Sequence, residues 1–426
     1  MSTPLVVGLV GGGTVGGGVY DIVEYTHQEF FRSLGANIHI KKIAVKNLKK
    51  PRDFAVAAHT NLVGDWRQVL DDPDINTVVE VMGGITEAKE VVFGAIAKGK
   101  HVVTANKALL AAYLPEIVAL LKEHPEVKFG YEAAVCGGIP IIHTLQNDYL
   151  GDQISQILGI MNGTTNFMLT KMEGGAEYGE VLAEAQALGF AEADPTADVE
   201  GHDVQAKIAL LAKLAFGVHV PFDEIPTTGI SSIESVDFEY AKLLNATIKL
   251  LGMAQLSPDG AKLSVAVSPF IVPRDHAIAA ANGSTNIVNI SSRNLVSSAY
   301  IGPGAGRYPT ANSIVSDIVR LARGLVGPPF PVDRAMPLEP DYTSRFYIRL
   351  RIQDQLGVIR VVGEIAERHG VSIYAILQNP ITDPNDINFV VTTEPARHSQ
   401  VRAFSEDIEK QDFTKGPPLF FAFLLS

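Results

Sequence analysis

Cysteine is nearly absent from this chain: Cys136 is the only one among 426 residues. No internal disulfide can form, which suits a reducing compartment and predicts a cytoplasmic protein. The histidines are scattered, with neither a Cys/His cluster nor an H-E-x-x-H pair, so their spacing predicts no zinc site. Long apolar runs are missing too, and none approaches the roughly 20 residues of a membrane span. The opening Met1–Val7 lacks the basic start and apolar stretch of a signal peptide. Positive charge is in deficit, 35 Lys and Arg against 47 Asp and Glu, and no basic stripe is available for a phosphate backbone. These absences argue against a nucleic-acid or membrane partner. What remains, 46% hydrophobic and 19% charged residues, predicts a soluble globular protein of two or three domains.

The first strong signal is β-prone Leu5–Val10, followed at once by Gly11-Gly12-Gly13-Thr14-Val15-Gly16 and an apolar helix with Val19, Ile22 and Val23. This is G-x-G-x-x-G between a strand and a helix, the context in which it binds a dinucleotide. Gly11 makes the tight turn, Gly13 admits a pyrophosphate and Gly16 lets helix pack on strand. Thr14 and Val15 place the helix N-terminus at the phosphates. Glycines serving a turn for steric reasons alone are the competing reading. A second strand, about His39–Val45, leads into Lys46-Asn47-Leu48-Lys49-Lys50-Pro51-Arg52, with no acid before Asp53. An NAD-type site places an acid here for the ribose hydroxyls, whereas Lys46 and Arg52 suit a 2′-phosphate. NADP is therefore expected ahead of NAD, against the plain alternative of a solvated basic loop. Strands at Thr77–Val81, His101–Thr104 and Lys128–Glu132 alternate with helices at Glu87–Ala97 and Tyr113–Lys122. That alternation predicts an α/β fold with a Rossmann-type doubly wound parallel sheet, its ligands at the strands' carboxyl ends. Lys107 falls at such an end.

Carboxylates cluster in Gly189-Phe190-Ala191-Glu192-Ala193-Asp194-Pro195-Thr196-Ala197-Asp198-Val199-Glu200-Gly201-His202-Asp203, just before the apolar helical run Ala206–Phe216. Pro195 marks a helix start and Gly217 its stop, which predicts one helix over Thr196–Phe216. Asp203 and Lys207 stand at i, i+4 on one face. A surface ion pair worth about 0.3–0.5 kcal/mol is the bland reading. Apolar neighbours instead place Lys207 near a core, where desolvation predicts a lowered pKa and a role as acid or base.

Together with Thr104-Ala105-Asn106-Lys107, Ala134-Val135-Cys136-Gly137-Gly138-Ile139-Pro140-Ile141-Ile142, Gly163-Thr164-Thr165-Asn166 and Gly302–Ala311, this stretch closely resembles the homoserine dehydrogenase family over about Leu5–Leu325. The resemblance implies reversible NAD(P)-dependent oxidation of L-homoserine to L-aspartate 4-semialdehyde. It implies Lys207 as the catalytic lysine, Lys107 as a second lysine beside the nicotinamide, Glu192 and Asp203 as substrate-holding residues with Asp198 in the same acidic loop, and Gly306 as a glycine closing over the cofactor. A sodium ion held by the backbone carbonyls of Glu132, Val135, Gly137 and Ile139 is implied in the same way. Rival readings are a catalytically inactive amino-acid sensor on the same scaffold and another semialdehyde dehydrogenase. Cys136 tempts the latter, but a buried, inert thiol is the commoner case.

These features divide the chain into a nucleotide-binding domain at 1–137 completed by 300–325, an α+β mixed-sheet catalytic and dimerisation domain at 138–299, a proline-rich stiff linker at 326–343 and a tail at 344–426. In the middle region, helices are expected at Ile139–Leu150, Gly179–Gln186 and Asp237–Lys242, with strands at Ile154–Ile160, Thr247–Gln255 and Lys262–Phe270. The tail predicts a ferredoxin-like βαββαβ unit: strands near Phe346–Ile352, Val371–Leu377, Ile387–Thr393 and Leu419–Leu425, helices Val358–His369 and Pro395–Glu409. With its Asp354-Gln355-Leu356-Gly357 turn it resembles an ACT domain, which implies an amino-acid effector. Threonine is the effector expected from the implied pathway, and a homodimer or homotetramer is the expected assembly.

Overall fold

The computed structural model describes residues 4–381 and 383–424. Met1–Thr3, Thr382 and the expected close of the last strand at Leu425 lie outside them. A parallel sheet of six strands opens the chain: β1 (Leu5–Val10), β2 (Ile38–Ala44), β3 (Asn61–Val63), β4 (Thr77–Glu80), β5 (His101–Thr104) and β6 (Phe129–Gly130), in the order β3-β2-β1-β4-β5-β6. That order reverses at β1, so the crevice above the ends of β1 and β4 is the natural ligand site. Val7, Leu9, Val78, Val79, Val102 and Val103 are all essentially buried, as parallel strands covered on both faces require. The helix Arg307–Ala322 returns to this sheet and packs on the helix Thr14–Asp21, where a Cβ at Gly18 would meet Ala311 at 3.0 Å. The helix expected at Tyr113–Lys122 starts earlier, at Lys107, and kinks at Tyr113.

A nine-stranded mixed sheet forms the second layer system. Its strands are β7 (Ile154–Ile160), β8 (Ala246–Leu256), β9 (Leu263–Pro273), β10 (Thr285–Ser292) and β11 (Val296–Pro303), joined by four from the tail. The hairpin β10–β11 and the helix Gly163–Glu173 carry no clear period in the sequence and were not expected from it. Two-residue strands β12 (Thr343–Ser344) and β16 (Ala396–Arg397) pair with each other. The tail strands β13 (Phe346–Ile352), β14 (Ile373–Gln378), β15 (Ile387–Thr393) and β17 (Leu419–Phe423) lie in the order β17-β13-β15-β14, with helices Val358–Arg368 and His398–Glu409 between them. This is the βαββαβ order expected.

The tail is not suspended on a free linker. β17 pairs in parallel with β9, Ala422 opposite Phe270, so one sheet runs through both parts. Buried Arg349 meets buried Asp237 at 2.8 Å, and the Tyr347 hydroxyl donates to the same carboxylate at 2.7 Å. The proline-rich segment is also laid on the body: Phe330 stacks on Tyr131, Asp333 pairs with Lys213, and Leu338 bridges to Leu263. Among the described residues no helix is long and apolar enough to cross a membrane.

Candidate functional site

The helix expected over Thr196–Phe216 is broken in two. Thr196–Val199 forms one turn, Gly201 adopts a left-handed conformation at φ +84°, and a new helix runs His202–Phe216. The break has a chemical consequence. Asp203 becomes a first-turn residue of the longer helix, where backbone N–H groups and the helix dipole favour an anion. Lys207 follows one turn later on the same face and is buried.

Asp203 is the centre of the site. One carboxylate oxygen lies 2.7 Å from Lys207 Nζ and the other 3.0 Å from Lys107 Nζ, so a single carboxylate bridges two ammonium groups. Lys207 also donates to the Met161 carbonyl at 2.5 Å. Lys107 arrives from the first helical position after β5, with Asn106 capping that helix through Leu109 N. The Lys107 side chain is 39% exposed against 9% for Lys207, so Lys107 faces the crevice and Lys207 lines its floor. Burial pushes the Lys207 pKa down, but Asp203 and other anionic neighbours more than offset it, and the net shift is upward. This corrects the lowered pKa expected from the apolar sequence around it. Asp203 is held well below the usual carboxylate range: burial opposes this, and Lys207 and Lys107 overcome it.

Two further groups, neither of them singled out by the sequence reading, complete the constellation. Asn162, at the end of β7, donates through one amide nitrogen to Asp198 at 2.7 Å and to Asp203 at 2.8 Å. Its carbonyl oxygen accepts from Thr165 N at 2.8 Å, which fixes the amide's orientation. Asp198 is raised, chiefly by burial. Buried Glu80, at the end of β4, accepts from Met82 N and from the Thr104 hydroxyl, and Thr104 in turn accepts from Asn106 N. Glu80 thereby braces the two loops that present Lys107. Glu192 stands apart: it lies exposed on the loop before Thr196, and among the described residues its side chain forms no ion pair.

The glycine loop has the expected shape. A Cβ at Gly11 would meet the Val81 carbonyl oxygen at 2.5 Å and one at Gly16 the Gly11 oxygen at 2.0 Å, while Gly13 has no atom within 4 Å. Backbone is thus tight on two sides and open on the third, where Thr14 and Val15 begin a helix whose N-cap has no side-chain bond. That open cradle fits a pyrophosphate. Arg52 reaches over it, donating to the carbonyls of Gly12 at 2.9 Å and Asn47 at 2.6 Å, whereas Lys46 is exposed. Gly306 (φ +118°) precedes Arg307, which binds Asp21 at 2.7 Å and also Asp53, fastening the returning chain to the cradle.

The turn at Glu132–Ile139 holds Cys136 and Gly137 at positive φ, 53° and 42°. The Gly137 carbonyl accepts from the Ser313 hydroxyl and the Ile139 carbonyl from Ile141 N. Each has a second lone pair left. Burial pushes the Cys136 thiol up to about 11, so it stays protonated and suits packing, not nucleophilic attack.

Comparison with known proteins gives a consistent picture. Residues 140–319 match the family model described as homoserine dehydrogenase, and residues 11–130 the one described as homoserine dehydrogenase, NAD binding domain. The chain is 38% identical to the homoserine dehydrogenase of Bacillus subtilis over 413 residues, 95% of this chain and 94% of that one. It is 37% identical to that of Pseudomonas aeruginosa, with 97% of each chain covered. Among solved structures, a homoserine dehydrogenase from Thiobacillus denitrificans superposes with a TM-score of 0.92 at 35% identity, covering 99% of this chain and 98% of that one. A hyperthermophilic archaeal homoserine dehydrogenase in complex with NADPH superposes with a TM-score of 0.63 at 25% identity, covering 78% of this chain and all of that one.

Proposed function

The chain belongs to the homoserine dehydrogenase family, and from that membership we propose how its residues divide the work. The reaction is reversible oxidation of L-homoserine to L-aspartate 4-semialdehyde with a nicotinamide cofactor. When bound, the nicotinamide takes or gives the hydride at the alcohol carbon. Lys207 handles the accompanying proton. Paired with Asp203 it is charged, the form required to protonate the oxygen of the semialdehyde as it becomes an alcohol. In the oxidative direction the substrate ammonium competes for Asp203, with Glu192 closing from its loop. That competition loosens Asp203 from Lys207 and lets Lys207 pass its proton to solvent water and then accept one from the hydroxyl. Lys107 stays at the mouth as a second positive charge that stabilises the developing alkoxide. The observation that carries this reading is the bridge Lys107–Asp203–Lys207, held by Asn162.

NADP is the proposed partner of the cradle, with the Gly11–Gly16 loop on the pyrophosphate, Lys46 and Arg52 on a 2′-phosphate and Gly306 closing over it. The archaeal relative's complex with NADPH supports that choice. The free lone pairs at Gly137 and Ile139, with the Glu132 and Val135 carbonyls, are compatible with Na⁺. The tail is proposed as an ACT-type regulatory unit that takes threonine at the helix N-terminus after Gly357, where φ is +93° and no side chain caps the helix. A homodimer or homotetramer completes the assembly. Nicotinamide absorbance, followed with homoserine and each cofactor in turn, tests the core of this reading. Lys207→Ala is expected to lower kcat by about 10²–10⁴-fold with folding retained, and wild-type turnover in that variant refutes the assignment.

A further inference from the structure

At the β3–β2 end of the first sheet, three ligand-type side chains converge that the reaction does not use. Residues Ile22–Thr26 form a one-turn π-helix, an element rare in proteins and frequent at functional positions. It turns Glu24 inward, where its side chain is only 2% exposed. His59 Nε2 lies 3.0 Å from Glu24 Oε2, and the His39 and His59 rings are 5.0 Å apart. One ligand atom from each of Glu24, His39 and His59 lies within 4.8 Å of the other two. Gln28 Nε2 donates to Glu24 at 3.1 Å and steadies the carboxylate. Ile40 N donates to its other oxygen at 3.5 Å. Among the described residues no lysine or arginine pairs with this buried carboxylate, so its partners are neutral donors and the His59 imidazole.

We propose that Glu24, His39 and His59 form a site for a divalent transition-metal ion of the zinc type, with a fourth position left to water. Two histidine nitrogens and one carboxylate oxygen are a donor set such ions favour. Tetrahedral ligands at about 2.0–2.1 Å from zinc sit about 3.3 Å apart. Glu24 and His59, 3.0 Å apart, are within a few tenths of an ångström of that spacing, and the His39 donor lies within 4.8 Å of both. The ion joins three separate elements: the turn after the helix Thr14–Asp21, the start of β2, and the end of the loop that carries Lys46 and Arg52. A plain Glu24–His59 ion pair is the competing account. It leaves His39 without a role and predicts no dependence on metal.

Full-length protein stripped by a chelator and titrated with Co²⁺ distinguishes the two. The expected result is one equivalent bound with visible ligand-field bands, displacement by Zn²⁺, and a higher Tm with either ion. His39→Ala and His59→Ala should each weaken binding at least about tenfold while homoserine turnover persists, which also shows that the variants fold. Absence of a stoichiometric Co²⁺ spectrum in the wild type overturns the proposal. So does a spectrum and affinity unchanged in both histidine variants, because the ion then lies elsewhere.

Discussion

Replacing Asp203 by asparagine keeps the shape of the site and removes its one bridging charge. In the wild type, the folded pKa of Asp203 is depressed, so its contribution is present above about pH 4 and is lost as pH falls through the folded value. The folded pKa of Lys207 is raised, so its contribution is fully present below about pH 10.5 and is lost as pH rises beyond it. Between those limits the pair's stabilisation is level. In Asp203→Asn, Lys207 keeps its burial and its neighbour Lys107 but loses the partner that outweighed both, so its folded pKa drops below 10.5. Breaking a buried pair this way costs about 3–5 kcal/mol. The lost attraction leaves Lys207 with a folded pKa below its unfolded one. Above that folded value the unfolded chain binds the extra proton, and stability relative to wild type rises by up to about 1.4 kcal/mol per pH unit. Urea unfolding of both proteins at about pH 7, 8 and 9 measures the difference. Adding Lys207→Met should abolish the slope. A difference independent of pH refutes the conclusion that Asp203 sets the charge on Lys207.

Asn162→Ala should leave Asp198 and Asp203 without their shared donor. We expect kcat/KM for homoserine to fall about tenfold or more, a loss of about 1.4 kcal/mol or more, with a pH profile displaced because the carboxylates now repel directly; an unmoved profile in a folded variant assigns Asn162 to structure alone. Neutralising Lys46 and Arg52 together should raise KM for NADP far more than for NAD, and equal effects leave only a generic basic loop. Gly357→Val puts a β-branched residue at a left-handed position and over a helix N-terminus. It should abolish inhibition by millimolar threonine while kcat stays unchanged, and calorimetry showing threonine bound as in the wild type sinks that location.

Much of the molecule is legible along the chain because its signals are local. Gly11–Gly16 sits between a strand and a helix, so its turn, its close backbone approach and its open cradle follow from residues within one supersecondary unit. Asp203 and Lys207 are one helical turn apart, and helix geometry alone puts them on one face. The βαββαβ tail was also readable, since each element carries its own period and its own stop. Tertiary structure decided what depends on chain path. Lys107 reaches Asp203 only because β5 ends opposite the helix that begins at His202, and Asn162 joins them only because β7 ends there too. The Gly163-Thr164-Thr165-Asn166 motif follows Asn162 directly but does not single it out, as an asparagine there is an ordinary helix cap. Charge state followed the same rule. An apolar sequence around Lys207 argues for a lowered pKa, yet Coulomb attraction at 2.7 Å in a buried setting outweighs desolvation. The joining of tail and body through β17 and β9 rests on backbone hydrogen bonds between segments about 150 residues apart. No local pattern records that pairing, because any exposed strand edge offers the same donors and acceptors, and only the assembled fold selects which two edges meet.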